Sequence, residues 1–185
     1  MNDDSTPAPA DNPEHSRRVS APDLPAPPVR GRRLLPLVLV VAVVVLLIDQ
    51  GSKLWAERTL PGHDPIPVIG DFIQFRLVYN PGAAFSIGSG STWIFAVLAA
   101  VAVVALFWFA LRVESKGWAI AIGMLLGGAT THLLDRLLRA PGFGRGHVVD
   151  FIAYDGWFVG NVADIMLAVG AVLLVALTVR GIDYK

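Results

Sequence analysis

Asp150 and Asp164 stand fourteen positions apart and are the residues of this sequence best suited to hydrolysis. Two carboxyl groups a few ångström apart resist joint ionisation, so one keeps its proton near neutral pH. The ionised member can take a proton from water and the protonated member can donate to a carbonyl oxygen. The two titration steps then belong to the pair and not to either aspartate. Other routes are closed or weaker. The chain has no cysteine, which excludes a thiol nucleophile, a Cys-bound zinc and any disulfide. Its four histidines show no HExxH spacing. No metal or cofactor is expected. Ser52-Lys53 and Thr131-His132 stay open as hydroxyl–base pairs.

The elements that must bring Asp150 and Asp164 together are set by composition. Of the 185 residues, 54% are hydrophobic and only 16% charged, with a mean hydropathy of +0.58. Soluble domains carry about a quarter charged residues, so lipid is the expected solvent. Net charge is zero, which removes the electrostatic case for nucleic acid. Residues 1–29 are rich in Pro, Ala and Asp, and read as a disordered cytoplasmic tail. Residues 30–185 read as one membrane domain. Four apolar segments follow one another: Leu34–Ile48, extendable to Trp55; Trp93–Leu111; Gly117–Leu134; and about Val159–Val179. A span needs about 20 mostly apolar residues. The first and fourth segments reach that length only by including Asp49 and Asp164. Arg30, Arg32 and Arg33 before the first segment also suit a signal peptide, but Asp49-Gln50-Gly51-Ser52-Lys53 is a poor cleavage site, so a retained anchor is expected.

Lys and Arg concentrate before the first segment, in the short link Arg112–Lys116 and after the fourth, which places both termini in the cytoplasm. The outer loops are then about residues 56–92 and 137–158. Val68–Asn80, bounded by Pro67 and by Pro81-Gly82, reads as a strand or two, and Val148–Tyr154 as another. This topology gathers Asp49, Lys53, Asn80, Thr131, His132, Asp135, Arg136, Asp150, Asn161 and Asp164 at one depth on the outer side. Asp49 and Lys53 are four apart on one helix face, His132 is three from Asp135 and four from Arg136, and Asn161 is three from Asp164. An ionisable group inside a span is costly unless it faces a cavity or a partner. Plainer roles compete: snorkelling for Asp49, Lys53 and Arg136, an Asp135–Arg136 ion pair, interhelical bonding by Asn161, packing by His132, and pairing of Asp164 with Arg136 or Lys53.

Five blocks then occur in order: Asp49-Gln50-Gly51-Ser52-Lys53, Asn80-Pro81-Gly82-Ala83-Ala84-Phe85, Gly127-Gly128-Ala129 with Asp135-Arg136, Val149-Asp150-Phe151-Ile152, and Asn161-Val162-Ala163-Asp164. Together they resemble the signature blocks of the lipoprotein signal peptidase (signal peptidase II) family, over about residues 34–180. The resemblance implies an all-α integral membrane fold with four transmembrane helices, a small extracytoplasmic β-cradle and a short helix over the site. It implies Asp150 and Asp164 as the catalytic aspartates, with Asp49, Lys53, Asn80, Gly82, Ala83, His132, Asp135, Arg136 and Asn161 in support or substrate binding. It implies an aspartic endopeptidase of the bacterial cytoplasmic membrane, a monomer among lipids. The implied substrates are diacylglyceryl-modified lipoprotein precursors, cut just before the lipidated cysteine.

The sequence departs from that pattern at three places. Thr131 and His132 stand where the third block has Gly-Asn, and Gly160 stands where an aromatic precedes the last block. Altered substrate preference, or a weak relative that only binds lipoproteins, follows from these changes as an alternative. An ion or proton relay through Asp49, Asp135 and Asp164 is a second alternative, opposed by the apolar cytoplasmic halves of the spans.

Overall fold

A computed structural model describes residues 33–82 and 91–185. The Pro-rich tail and Ala83 lie outside the described residues. The chain runs α1 (Leu35–Thr59), β1 (Ile66–Ile69), β2 (Ile73–Asn80), α2 (Thr92–Ala110), α3 (Lys116–Leu138), β3 (Val148–Tyr154), β4 (Phe158–Gly160) and α4 (Val162–Val179). Among the described residues, the four helices are all long and apolar enough to cross a membrane. The short additional helix implied by the resemblance is not among these elements.

Most side chains on α1, α2 and α4 face outward, as suits helices solvated by lipid, whereas half of α3's apolar window is buried. α3 is the central helix and packs on each of the other three. Its small residues allow this. A Cβ at Gly123 or Gly127 would come within 2.7 Å of Val41 or Val45 on α1, and within 2.9 Å or 2.8 Å of the Val38 or Ala42 carbonyl oxygen. Backbones so close exploit van der Waals packing, the main attraction between helices in lipid. The buried face of α1 recurs at helical spacing through Val38, Ala42, Val45, Asp49, Lys53 and Ala56. The same stripe thus begins apolar and ends charged, at one end of the bundle.

At the opposite end, backbone hydrogen bonds join three segments. Leu34 N–H donates to the Val113 carbonyl at 2.9 Å, and Glu114 and Ser115 N–H groups donate to the Tyr184 carbonyl at 2.7 Å and 3.1 Å. Trp118 Nε1 donates to the Ile182 carbonyl at 2.7 Å.

The four strands form one antiparallel sheet in the order β1-β2-β3-β4. β2 lies in the run Val68–Asn80 read as a strand or two, β1 begins two residues before that run and includes Pro67, and β3 matches the expected segment. β4 is a correction: Val159 and Gly160 belong to the sheet, paired with Ala153 and Ile152, and the helix begins only after Asn161. Apolar composition alone did not separate a strand end from a helix start. β2 carries Asn80 opposite Val148 and Val78 opposite Asp150. Side chains two apart share a face of a strand, so Asn80 lies diagonally across from Asp150.

Candidate active site

The charged end of α1 meets the C-terminal end of α3, the start of α4 and strand β3. Lys53 is fully buried between two carboxylates, with Nζ 2.7 Å from Asp49 Oδ2 and 2.6 Å from Asp135 Oδ2. Each carboxylate also accepts a backbone N–H. Asp49 Oδ1 takes that of Ala163 at 2.9 Å, and Asp135 Oδ2 that of Val149 at 3.4 Å. Ala163 precedes Asp164 and Val149 precedes Asp150. A single ammonium therefore ties together the two backbone segments that carry the paired aspartates. Burying a charge is costly unless it is paired and hydrogen-bonded; Lys53 is paired with both carboxylates and hydrogen-bonded to Asp135, while Asp49 Oδ2 has the ion pair alone. Gln50 Nε2 and Arg139 Nε complete Asp135, at 3.0 Å and 2.8 Å from its Oδ1, and Arg139 reaches Glu57 at 2.6 Å.

Arg136 points the other way. Nη1 donates to the Asn80 and Gly146 carbonyls, each at 3.0 Å, and Nη2 donates to the Gly82 carbonyl. The Asp135–Arg136 ion pair, one of the plainer readings, does not form: Asp135 pairs with Lys53 and Arg139, while Arg136 holds loop backbone in place. Gly146 is required at this contact: a Cβ there would lie 2.1 Å from the Asp135 carbonyl oxygen.

Asp150 is 3% exposed. Asn161 Nδ2 donates to its Oδ1 at 2.6 Å and Asn80 Nδ2 to its Oδ2 at 3.0 Å. Asn161 is also the N-cap of α4. Its Oδ1 accepts the Asp164 N–H at 3.2 Å, and its own N–H donates to Asp164 Oδ2 at 2.9 Å. This reciprocal capping box satisfies two of the free N–H groups at the helix start, where Asp49 takes that of Ala163. It also means that one asparagine contacts both aspartates. Asp164 Oδ1 lies 3.1 Å from His132 Nε2, so His132 is Asp164's side-chain partner in place of Arg136 or Lys53.

Asp150 and Asp164 line one cavity of about 640 Å³, together with Asn80, Gly82, His132 and Arg136. Phe95, Ile165, Ala168 and Val169 supply an apolar wall. Burial pushes the Asp150 carboxyl up to about 6; the Asp164 charge adds to this, and the Asn80 and Asn161 hydrogen bonds oppose it. Burial and then the Asp164 charge also push up the Tyr154 phenol, which keeps its proton beside the cavity. The described residues contain no cluster of three or more His, Cys, Asp or Glu able to hold a metal ion. A carboxyl of raised proton affinity near a second carboxylate, at a cavity with one polar and one apolar wall, is an arrangement suited to activating water against a carbonyl.

Of the site residues expected from the sequence, ten of eleven are described, all but Ala83, and they converge here. Gln50, Glu57, Arg139 and Tyr154 also belong to the site and are not among the residues expected from the sequence. Arg139 was recognisable as the residue four after Asp135, and Asn161-x-x-Asp164 as a capping pattern before an apolar run.

Residues 41–180 match the family described as Signal peptidase (SPase) II. A lipoprotein signal peptidase of Mycobacterium tuberculosis (strain ATCC 25618 / H37Rv) is 46% identical over 171 residues, covering 92% of this chain and 83% of the relative. Another from Mycobacterium avium (strain 104) is 47% identical over 159 residues, covering 86% and 87%. A solved bacterial membrane enzyme, determined by the in meso method at 2.3 Å resolution, superposes with a TM-score of 0.72 at 27% identity, covering 84% of this chain and 94% of its own. Four spans, the antiparallel sheet and these likenesses identify a multi-pass bacterial membrane protein, and the chain belongs to the signal peptidase II family of peptidases.

Proposed function

We propose that this protein removes signal peptides from diacylglyceryl-modified lipoprotein precursors, cutting just before the lipidated cysteine with water activated by Asp150 and Asp164. The observation that carries this reading is the double role of Asn161, which holds one oxygen of each aspartate beside a common cavity. Water attacks the scissile carbonyl carbon, one carboxylate accepts its proton and the other carboxyl protonates the carbonyl oxygen. The apolar wall suits acyl chains and the signal helix, and the buried lysine keeps both aspartate-bearing segments in register.

The Lys/Arg distribution supports both termini in the cytoplasm and the site at the extracytoplasmic face of the cytoplasmic membrane. In this reading the sheet is the extracytoplasmic cradle, residues 1–29 are a cytoplasmic tail outside the membrane domain of residues 30–185, and the working unit is a monomer surrounded by lipid. The test is turnover of a lipidated precursor by purified protein. Asp150→Asn and Asp164→Asn are each expected to lower the rate by at least about a hundredfold while inserting normally. Full turnover by either variant would remove the mechanism.

A further inference from the structure

The two aspartates are held by groups of different chemistry. Both oxygens of Asp150 accept side-chain amide N–H groups, at 2.6 Å and 3.0 Å. Amides are neutral and do not exchange a proton with a carboxyl group near neutral pH. Asp164 has its Oδ2 on the first turn of α4, where backbone N–H groups favour negative charge. Its Oδ1 lies 3.1 Å from His132 Nε2, and an imidazole, unlike an amide, can carry a positive charge. Asp164 is also the more open of the two: it is half-buried, whereas Asp150 is buried. Water therefore has ready access to Asp164.

We propose that His132 is a positioning residue of the reaction, one that holds Asp164 as the carboxylate taking the proton from water and leaves Asp150 as the carboxyl donating to the scissile carbonyl oxygen. The proposal rests on the peptidase reading above and deepens it by giving each aspartate its own role. The protons balance. The water oxygen bonds to the carbonyl carbon as its proton passes to Asp164 and the Asp150 proton passes to the carbonyl oxygen, giving a neutral diol. The diol returns a proton to Asp150, the carbon–nitrogen bond breaks, and Asp164 delivers its proton to the leaving amine.

The other ionisable groups around His132 do not compete for this role. Asp150 and Tyr154 face it across the cavity from β3, and α2 contributes Phe95 and Ala99 to the lining. On α3 itself, Arg136 is bound to three carbonyl oxygens and Asp135 to Lys53 and Arg139. On α1, Lys53 and Asp49 are paired with each other. Asp150 responds to His132 as well: against the larger effect of burial, positive charge on the imidazole lowers its proton affinity.

The test is the pH profile of kcat/KM for the full-length protein in detergent micelles with a lipidated precursor peptide, comparing wild type, His132→Asn and His132→Gln. Both amides can still donate to Asp164 Oδ1 but carry no charge. Both variants are expected to keep activity within about tenfold of wild type at their optimum, with the bell displaced to higher pH by about half a unit to one unit. Bells that coincide with wild type would overturn the proposal. So would loss of all cleavage by both variants in folded protein, because a positioning group replaced by another donor should not be indispensable. Asp150→Asn and Asp164→Asn are run alongside. Turnover that survives either change sinks the peptidase mechanism and this proposal with it. An aspartate-dependent bell that is unmoved by both His132 substitutions sinks the proposal alone.

Discussion

Asp150 sits on a strand, enclosed by its neighbours, and is the group whose acidity the fold alters most plainly outside the spans. Its carboxyl is pushed up to about 6 by burial first and by the Asp164 charge second, against an ordinary value of about 3.9. Between these two pH values the folded protein holds a proton that the unfolded chain has released. Stability from this group is therefore complete below about pH 4 and is lost as pH rises through about 6. The difference amounts to about 3 kcal/mol at most. Thermal unfolding in detergent is expected to show a falling Tm between pH 4.5 and pH 7.5, with a flatter slope for Asp150→Asn. Equal slopes would mean that Asp150 titrates normally. At this scale the sequence was informative about types and local spacing. Asp49 and Lys53, four apart on one helix face, do pair. The partner of Arg136 was not legible, because its acceptors are backbone carbonyls at Asn80, Gly82 and Gly146, which no residue type announces.

Among the elements, the link from α1 to the starts of β3 and α4 runs through Lys53 and its two carboxylates. Breaking a buried charge pair by removing one partner costs about 3–5 kcal/mol. Lys53→Met is expected to lose that much stability and to lower kcat more than it raises KM, since Lys53 does not line the cavity. Unfolding curves and steady-state kinetics check both parts, and a variant with native stability and kcat would show the strut to be dispensable. The sequence predicted all four helices because twenty apolar residues in lipid have few alternatives. It did not predict β4, a three-residue strand that exists only because Ile152–Tyr154 offers it an edge. Nor did it predict that Lys53 reaches Asp135, 82 positions away. Contacts of that kind depend on helix crossings, which follow from the glycines of α3 only once the packing partners are known.

At the scale of the whole molecule, the buried charged side chains among the described residues, Asp49, Lys53, Asp135, Arg136 and Asp150, all lie at one end of the bundle. The proposed orientation can be tested simply, because the natural sequence has no cysteine and any introduced thiol is unique. Asp64→Cys, exposed before β1, is expected to react with a membrane-impermeant maleimide in intact cells. Asp183→Cys, exposed near the other end, is expected to react only after permeabilisation. The reverse pattern would invert the topology. The stitched end of the bundle has a further consequence. The entry to α1, the link Leu111–Ser115 and the segment Gly181–Tyr184 are joined there by backbone hydrogen bonds and by the packing of Tyr184 on Phe109 and Trp118. At the site end the Lys53 network ties α1, α3 and α4 together, so the helix with most freedom to part there is α2, which packs mainly on α3. Under the proposed function, a lipid-tailed substrate would then enter sideways beside α2, as between the arms of tongs, with the fulcrum at the stitched end, away from the scissile bond.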